Sequence, residues 1–131
     1  NYLYAALRSN YIRRIFGVVP DSEWPKIKDI LAARSLFTVN DAGASTWMDG
    51  LPLHSGRLAK LPKIDEPVIL NFSADYFVDK DTSARAVAEQ LKKSGIDFDL
   101  VTITYPETKK PGYERATTEI KKLRSLLAKD K

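Results

Sequence analysis

The clearest pattern of apolar and polar positions lies between Pro67 and Pro106. An almost continuous apolar run at 68–72 is typical of a strand that is covered on both faces. A helix is predicted over 82–94, because its apolar residues recur at helical spacing. These residues are Ala84, Val87, Ala88 and Leu91. A second strand is predicted at 98–104 from Phe98, Leu100, Val101 and Ile103 and completes a βαβ unit, whose two strands should lie adjacent and parallel.

Local signals mark both ends of this predicted helix. Asp81, Thr82 or Ser83 is expected to cap its first turn, since short polar side chains accept hydrogen bonds from the first free amides. Gly95 is expected to end it in the left-handed conformation that glycine adopts without strain. The helix is therefore predicted with both boundaries.

A second amphipathic pattern starts after Pro111 and predicts a C-terminal helix over 112–131. Its apolar stripe consists of Tyr113, Ala116, Ile120, Leu123 and Leu127. Residues 109–131 hold eight Lys and Arg against three acids, a net charge of +5. Because the whole chain has a net charge of +4, the remaining residues sum to −1. The basic character therefore belongs to this helix.

The first half of the chain is predicted to open with a helical segment over 1–35. Its first helix is inferred from apolar residues at Leu3, Leu7, Ile12, Ile15 and Phe16. Asp21 is expected to cap a second helix in which Trp24, Ile27, Ile30 and Leu31 share a face, with Pro25 in the first turn, where a missing N–H costs little.

A hairpin is predicted after these helices, with a strand at 36–39, a turn at 40–43 and a return strand at 46–48. Asp49 and Gly50 should close the return strand. Residues 50–66 have no clear periodicity and are predicted to be irregular, or to hold a single helical turn at 56–61. A connection of that length is uncommon in a compact domain and is often functional.

Together these elements predict a single α/β domain over 1–131, with the parallel βαβ unit at the centre of a small mixed sheet flanked by helices. Residues 1–35 form its helical segment, 36–106 its strand and βαβ core, and 112–131 its basic helix. The chain starts without Met in the middle of a helical pattern. This favours a piece of a longer chain, or the loss of a targeting or membrane segment.

Three stretches resemble the membrane-anchored thioredoxin-like proteins: FTVND at 37–41, DGLPL at 49–53 and PVILNFSADY at 67–76. In that family a strand, a D-G hairpin and a short helix lead to a central strand that ends in A-x-W-C-x-x-C. The resemblance covers 36–105 and implies a soluble domain on the extracytoplasmic or organellar side of a membrane anchor. The other similarity is to the generic doubly wound α/β pattern.

The chain departs from that family at its reactive centre. Tyr76 stands where the family has Trp, and Phe77 and Lys80 stand where it has the two cysteines. Because a thiolate is the nucleophile in dithiol chemistry, the resemblance implies a thioredoxin-like domain that binds a partner without redox activity.

The side chains available for catalysis are few, since the chain has no Cys and His54 is its single His. A zinc site needs four N, S or O ligands, and neither phosphate-binding glycine motif occurs. No catalytic residue, metal or cofactor is therefore predicted. Three carboxylates follow the first βαβ strand, where open α/β sheets bind ligands. Asp75, Asp79 and Asp81 would hold a cation there, or would serve as ordinary helix-capping residues.

Three functional hypotheses follow. The first is a non-catalytic protein-interaction or assembly domain of a larger or membrane-anchored protein. It binds a basic partner through Tyr76 and Phe77 at the tip of the acidic loop, residues 73–81, with Asp75, Asp79 and Asp81 around them. The two rings could also fold back into the core.

The second hypothesis is binding of nucleic acid or of an acidic surface through the basic helix, which is otherwise an ordinary solvated face. Its basic surface consists of Lys109, Lys110, Arg115, Lys121, Lys122 and Arg124. The third is an α/β enzyme or binding domain for a small molecule or cation that uses the three aspartates.

Overall fold

The computed structural model describes residues 5–6, 8–105 and 111–129. The chain forms two compact units: unit 1, Asn1–Leu61, and unit 2, Pro62–Lys131. Each contains a sheet and helix, so the mixed α/β class predicted from the sequence is confirmed. The single domain over 1–131 stays a prediction. Within the described ranges, no helix is both long enough and apolar enough to cross a membrane.

Unit 1 is built on a four-stranded mixed sheet in the order β1–β4–β3–β2. β1 (Ile15–Val19) runs parallel to β4 (Leu51–Arg57). β3 (Ala44–Met48) lies antiparallel between β4 and β2 (Thr38–Val39). The strands β1 and β4 are mostly half-buried along their length, so hydrogen bonding between strands is a large part of what orders this unit.

The helix α1 (Trp24–Ala32) packs against β2 and β3 of this sheet. Pro25 lies in its first turn, as predicted. The predicted cap at Asp21 is wrong, because the helix begins after Glu23, and no side chain caps it. Trp24 is buried together with Ala44 and with Leu58, which starts a 3₁₀ turn after β4.

Both turns of the predicted hairpin are confirmed. The Asn40 side chain accepts hydrogen bonds from the amides of Ala42 and Gly43 at 2.9 and 3.0 Å. Asp49 and Gly50 have φ angles of 49° and 80°. Two consecutive left-handed residues make the tight turn whose twist matches paired strands, so β3 and β4 pair from Met48 and Leu51 onward.

Two further predictions for unit 1 are corrected. Ile15 and Phe16 do not continue a helix but begin β1. Their segment is IFGVV, and β-branched and aromatic residues fit a pleated, half-buried surface once a partner strand is present. The segment 50–66 is irregular only from Leu61 onward, since Leu51–Arg57 pairs with strands on both sides. The 3₁₀ turn Leu58–Lys60 lies inside the predicted helical turn at 56–61. Leu3 and Leu7 lie outside the described residues.

Unit 2 contains the predicted βαβ unit: β5 (Ile69–Ser73), α2 (Ala84–Ser94) and β6 (Leu100–Thr104). The strands are adjacent and parallel, as predicted. Ser83 is the cap, accepting a hydrogen bond from the Ala86 amide, and Gly95 ends the helix with a φ of 66°. One detail is corrected. β5 and β6 form their own two-stranded sheet, because the four strands of the mixed sheet all come from unit 1.

The C-terminal helix, α3 (Tyr113–Lys129), completes unit 2 by packing against α2 and against the segment after β5. Its predicted stripe is buried from Ala116 onward, and Tyr113 is half-buried. The buried apolar residues of unit 2 come from every one of these elements except β6. They are Phe72, Ala74, Phe77, Ala84, Val87, Leu91, Ala116, Ile120, Leu123 and Leu127.

Candidate functional site

The acidic loop, residues 73–81, leaves the carboxyl end of β5 as a 3₁₀ turn, Ala74–Phe77. Ser73 caps this turn: its hydroxyl accepts a hydrogen bond from the Asp75 amide at 3.3 Å and donates one to the Asp75 carboxylate at 2.9 Å. A 3₁₀ turn has three residues per repeat, so Ala74 and Phe77 lie on one side and are both buried. The turn therefore decides which of the two neighbouring rings points inward.

Phe77 is the inward ring, with no exposed surface. Its ring lies 6.3 Å from that of Phe72 and 5.5 Å from that of Tyr76, the latter edge-on. The prediction of an exposed pair is therefore wrong for Phe77, and the alternative, folding back into the core, is correct for it. Tyr76 is half-buried and packs edge-on against Phe72 at 5.7 Å. Val78, which the sequence did not single out, is 40% exposed.

Arg115 binds the backbone of the acidic loop. One terminal nitrogen of its guanidinium donates to the carbonyls of Phe77 and Asp79 at 2.9 and 2.8 Å. The other donates to the carbonyls of Lys80 and Thr82, both at 2.8 Å. Each terminal nitrogen has two hydrogens, so these four bonds use all of them. Arg115 thus fixes the conformation of the loop through its backbone carbonyls.

The three aspartates of the loop have different surroundings. Asp75 accepts a hydrogen bond from the Tyr113 hydroxyl, and this bond raises the pKa of Tyr113, because ionisation would break it. Asp79 accepts bonds from the Asp81 amide at 3.3 Å and from the Thr82 hydroxyl at 3.4 Å. Asp81 is exposed. In the described ranges, no three His, Asp or Glu side chains are grouped as metal ligands. The oxygens that converge here are carbonyls, and their cation is Arg115.

Glu119 is a further buried group, which the sequence analysis missed. One carboxylate oxygen accepts a hydrogen bond from the Ala84 amide at 2.8 Å, and the other accepts one from Lys122 at 2.7 Å. The bond from Ala84, followed by that from Lys122, lowers the pKa of Glu119. Glu119 therefore caps α2 from another helix. Its place beside Ala116 and Ile120 on the helical wheel was the signal that could have identified it.

The predicted basic surface is divided among several environments. Lys109 and Lys110 lie outside the described residues. Arg115 binds the acidic loop, and Lys122 binds Glu119. Lys121 and Arg124 are exposed.

Unit 1 brings together one pair of potentially reactive side chains. The Ser45 hydroxyl lies 3.1 Å from Nδ1 of His54. The other nitrogen, Nε2, is buried, with no hydrogen-bond partner in the part of the chain that the structure describes. A methyl group added at Gly43 would lie 2.6 Å from it, so backbone closes off that side. A nucleophilic Ser–His pair needs a third group to orient the imidazole, and the described residues place none on the second nitrogen of this pair.

Comparisons with family models, with curated proteins and with solved structures found no match for this chain. The resemblance to thioredoxin-like proteins therefore stays a prediction.

Proposed function

We propose that this chain is a non-catalytic protein-interaction domain that binds a basic peptide segment of a partner protein through the acidic loop. The observation that carries the proposal is the set of four hydrogen bonds from Arg115 to the loop backbone. They hold the loop in one conformation while Val78 and Asp81 remain exposed and Tyr76 remains partly exposed.

A pre-organised loop favours binding because less conformational freedom is lost when a partner docks. Tyr76 and Val78 supply an aromatic and an aliphatic contact, and a tyrosine that is already packed against Phe72 loses little rotamer freedom. Three aspartates and one lysine between Asp75 and Asp81 make the rim acidic. An acidic rim accelerates association with a basic segment and orients it.

The two alternatives have less support. Of the predicted basic surface, Arg115 and Lys122 are committed to contacts inside unit 2, which leaves less positive charge for phosphates. For a cation or small-molecule enzyme, Asp75 and Asp79 already accept hydrogen bonds within unit 2. We therefore favour a protein as the partner over a nucleic acid, a cation or a small molecule.

The relationship to membrane-anchored thioredoxin-like proteins belongs to the same proposal. Its support is the acidic loop itself, which follows a strand and precedes a helix, as the reactive centre does in that family. With Phe77 in the core at the position of the first cysteine, the loop would serve docking in place of dithiol exchange.

The test is peptide binding measured by calorimetry with the full chain. The probes are peptides of equal length in which leucine alternates with lysine and arginine, with glutamate, or with serine. We expect the basic peptides to bind best and Asp81→Lys to weaken them by about tenfold or more, since like charges then meet at the rim. The matched control is Asp97→Lys, an exposed aspartate of unit 2 outside the loop, which should have little effect.

A second variant separates surface from core. Tyr76→Ala should weaken binding of the basic peptide while Phe77 keeps unit 2 folded. The proposal fails if the glutamate peptides bind as well as the basic ones, or if Asp81→Lys and Asp97→Lys have equal effects.

A further inference from the structure

Three side chains of α3 bind successive points of the chain between β5 and α2. Tyr113 donates to Asp75 at the start of the acidic loop. Arg115 donates to four carbonyls, those of Phe77, Asp79 and Lys80 in the loop and that of Thr82 just after it. Glu119 accepts from the Ala84 amide where α2 begins. The contacts follow the same order along both segments, so α3 forms a template for the whole connection.

Arg115 makes more hydrogen bonds to this connection than Tyr113 or Glu119 does, with four to backbone carbonyls. Four carbonyl oxygens directed at one place repel one another unless a positive charge lies between them. The guanidinium supplies that charge together with donors in a fixed plane, and a lysine ammonium could not reach four separate oxygens in the same way. The loop thus has the character of a cation-binding loop whose cation is a side chain of the same unit.

We propose that Arg115 is the residue that positions the acidic loop, and that α3 acts as a strap whose docking creates the loop's surface. The positioning role of Arg115 does not depend on the proposed function. Only the statement that the loop's surface is the binding site rests on it. A partner that binds the ordered loop then also stabilises the docked α3, because both favour the same conformation.

The experiment is amide hydrogen exchange on the full chain. Three amides report on the loop because each donates a hydrogen bond to a loop residue: Val78 to the Asp75 carbonyl, Thr82 to the Asp79 carbonyl and Asp81 to the Asp79 carboxylate. In Arg115→Ala we expect these amides to exchange about tenfold faster or more. The Val87 amide, which belongs to α2, should keep its protection.

The matched control is Arg124→Ala, which removes an exposed arginine from the same helix and should leave the loop amides unchanged. Low millimolar guanidinium chloride should restore protection in Arg115→Ala, because the ion refills the space among the carbonyls. Sodium chloride at the same ionic strength should not. A role in general stability alone would not produce this selective rescue.

The proposal is overturned if the loop amides keep their protection in Arg115→Ala, if protection falls equally throughout unit 2, or if the two salts act alike. If Arg115→Ala does not fold, the same exchange measurement on Arg115→Lys tests the proposal, since lysine keeps the charge and loses the planar donors. Faster loop exchange in it supports the proposal, and unchanged exchange overturns it. Failure of basic peptides to bind the wild-type chain would remove the proposed function and leave this result intact.

Discussion

The described part of unit 1 is a four-stranded sheet with few buried apolar side chains, whereas unit 2 has a larger buried core and side chains that bind backbone. Trp24, Ala44 and Leu58 are the buried apolar residues in the described part of unit 1. Unit 2 buries residues from β5, the acidic loop, α2 and α3 around Phe77 and Ile120. We therefore expect substitutions that remove side-chain volume to destabilise unit 2 most. Substitutions that add a group between neighbouring strands should destabilise unit 1 most.

The largest effect is expected from Phe77→Ala. Removing a fully buried ring leaves a cavity, which typically lowers the free energy of unfolding by about 3–5 kcal/mol. The measurement is urea unfolding with amide exchange of α2 and α3 as the readout for unit 2.

Val78→Ala is the matched control, because Val78 is the next residue and is 40% exposed. It should change the free energy of unfolding by about 0.5 kcal/mol or less. Equal effects of the two variants would show that Phe77 is not a core residue.

The next effect concerns unit 1 and Gly43. A methyl group there would lie 2.6 Å from the Ser55 carbonyl oxygen and 2.6 Å from Nε2 of His54, too close for β3 and β4 to keep their pairing. Gly43→Ala should therefore cost about 1–3 kcal/mol. Both tryptophans lie in unit 1 and Trp24 is buried, so tryptophan emission during urea unfolding measures this cost.

The comparison variant is Gly17→Ala in β1. Its methyl group would meet the Ser55 hydroxyl at 3.3 Å, a side-chain atom that can move away. Gly17→Ala should therefore lose less stability than Gly43→Ala. An equal loss in the two variants would mean that the close approach of backbone at Gly43 is not what makes a methyl group unfavourable there.

The smallest effect should come from Glu119→Gln. Glutamine still accepts a hydrogen bond from the Ala84 amide but loses the charge, which makes a bond about twice as strong. We expect a loss of about 1 kcal/mol at neutral pH. Because folding lowers the pKa of Glu119, its contribution is complete above the unfolded value, near 4.5, and disappears as the pH falls through the lower folded value.

Unfolding by urea from pH 7 down to pH 2 checks this prediction. The wild type should lose its advantage over Glu119→Gln across the acid range, and the two curves should then meet. Glu89→Gln, which removes an exposed glutamate paired with Arg85 at 3.3 Å, is the control and should show little difference at any pH. A constant difference between wild type and Glu119→Gln would contradict the role of the charge.

The predictions from the sequence are correct where the residues that fix an element lie inside it or directly beside it. The cap at Ser83 and the left-handed Gly95 bound α2, and both follow from residues inside or beside the helix. β1 and β4 were missed because IFGVV and LPLHSGR become strands by pairing with each other in parallel, across residues far apart in the chain.

The candidate site shows the same division. The three aspartates lie on the loop after β5, a position that the end of an apolar run marks in the sequence. The direction of Phe77 depended on a 3₁₀ turn, and the roles of Arg115 and Glu119 depended on partners 33 to 38 residues away. No local pattern reports a partner at that distance.

The sequence by itself therefore determined the mixed α/β class, the βαβ unit, its helix ends, the tight turns of unit 1 and the scarcity of catalytic side chains. Only the tertiary structure decided that β5 and β6 form their own sheet, that Phe77 belongs to the core, and that Arg115 is the cation of the acidic loop. The physical reason is that capping and turn preferences act within a few residues. A strand partner, a core position or a carbonyl for a guanidinium exists only after distant segments have met.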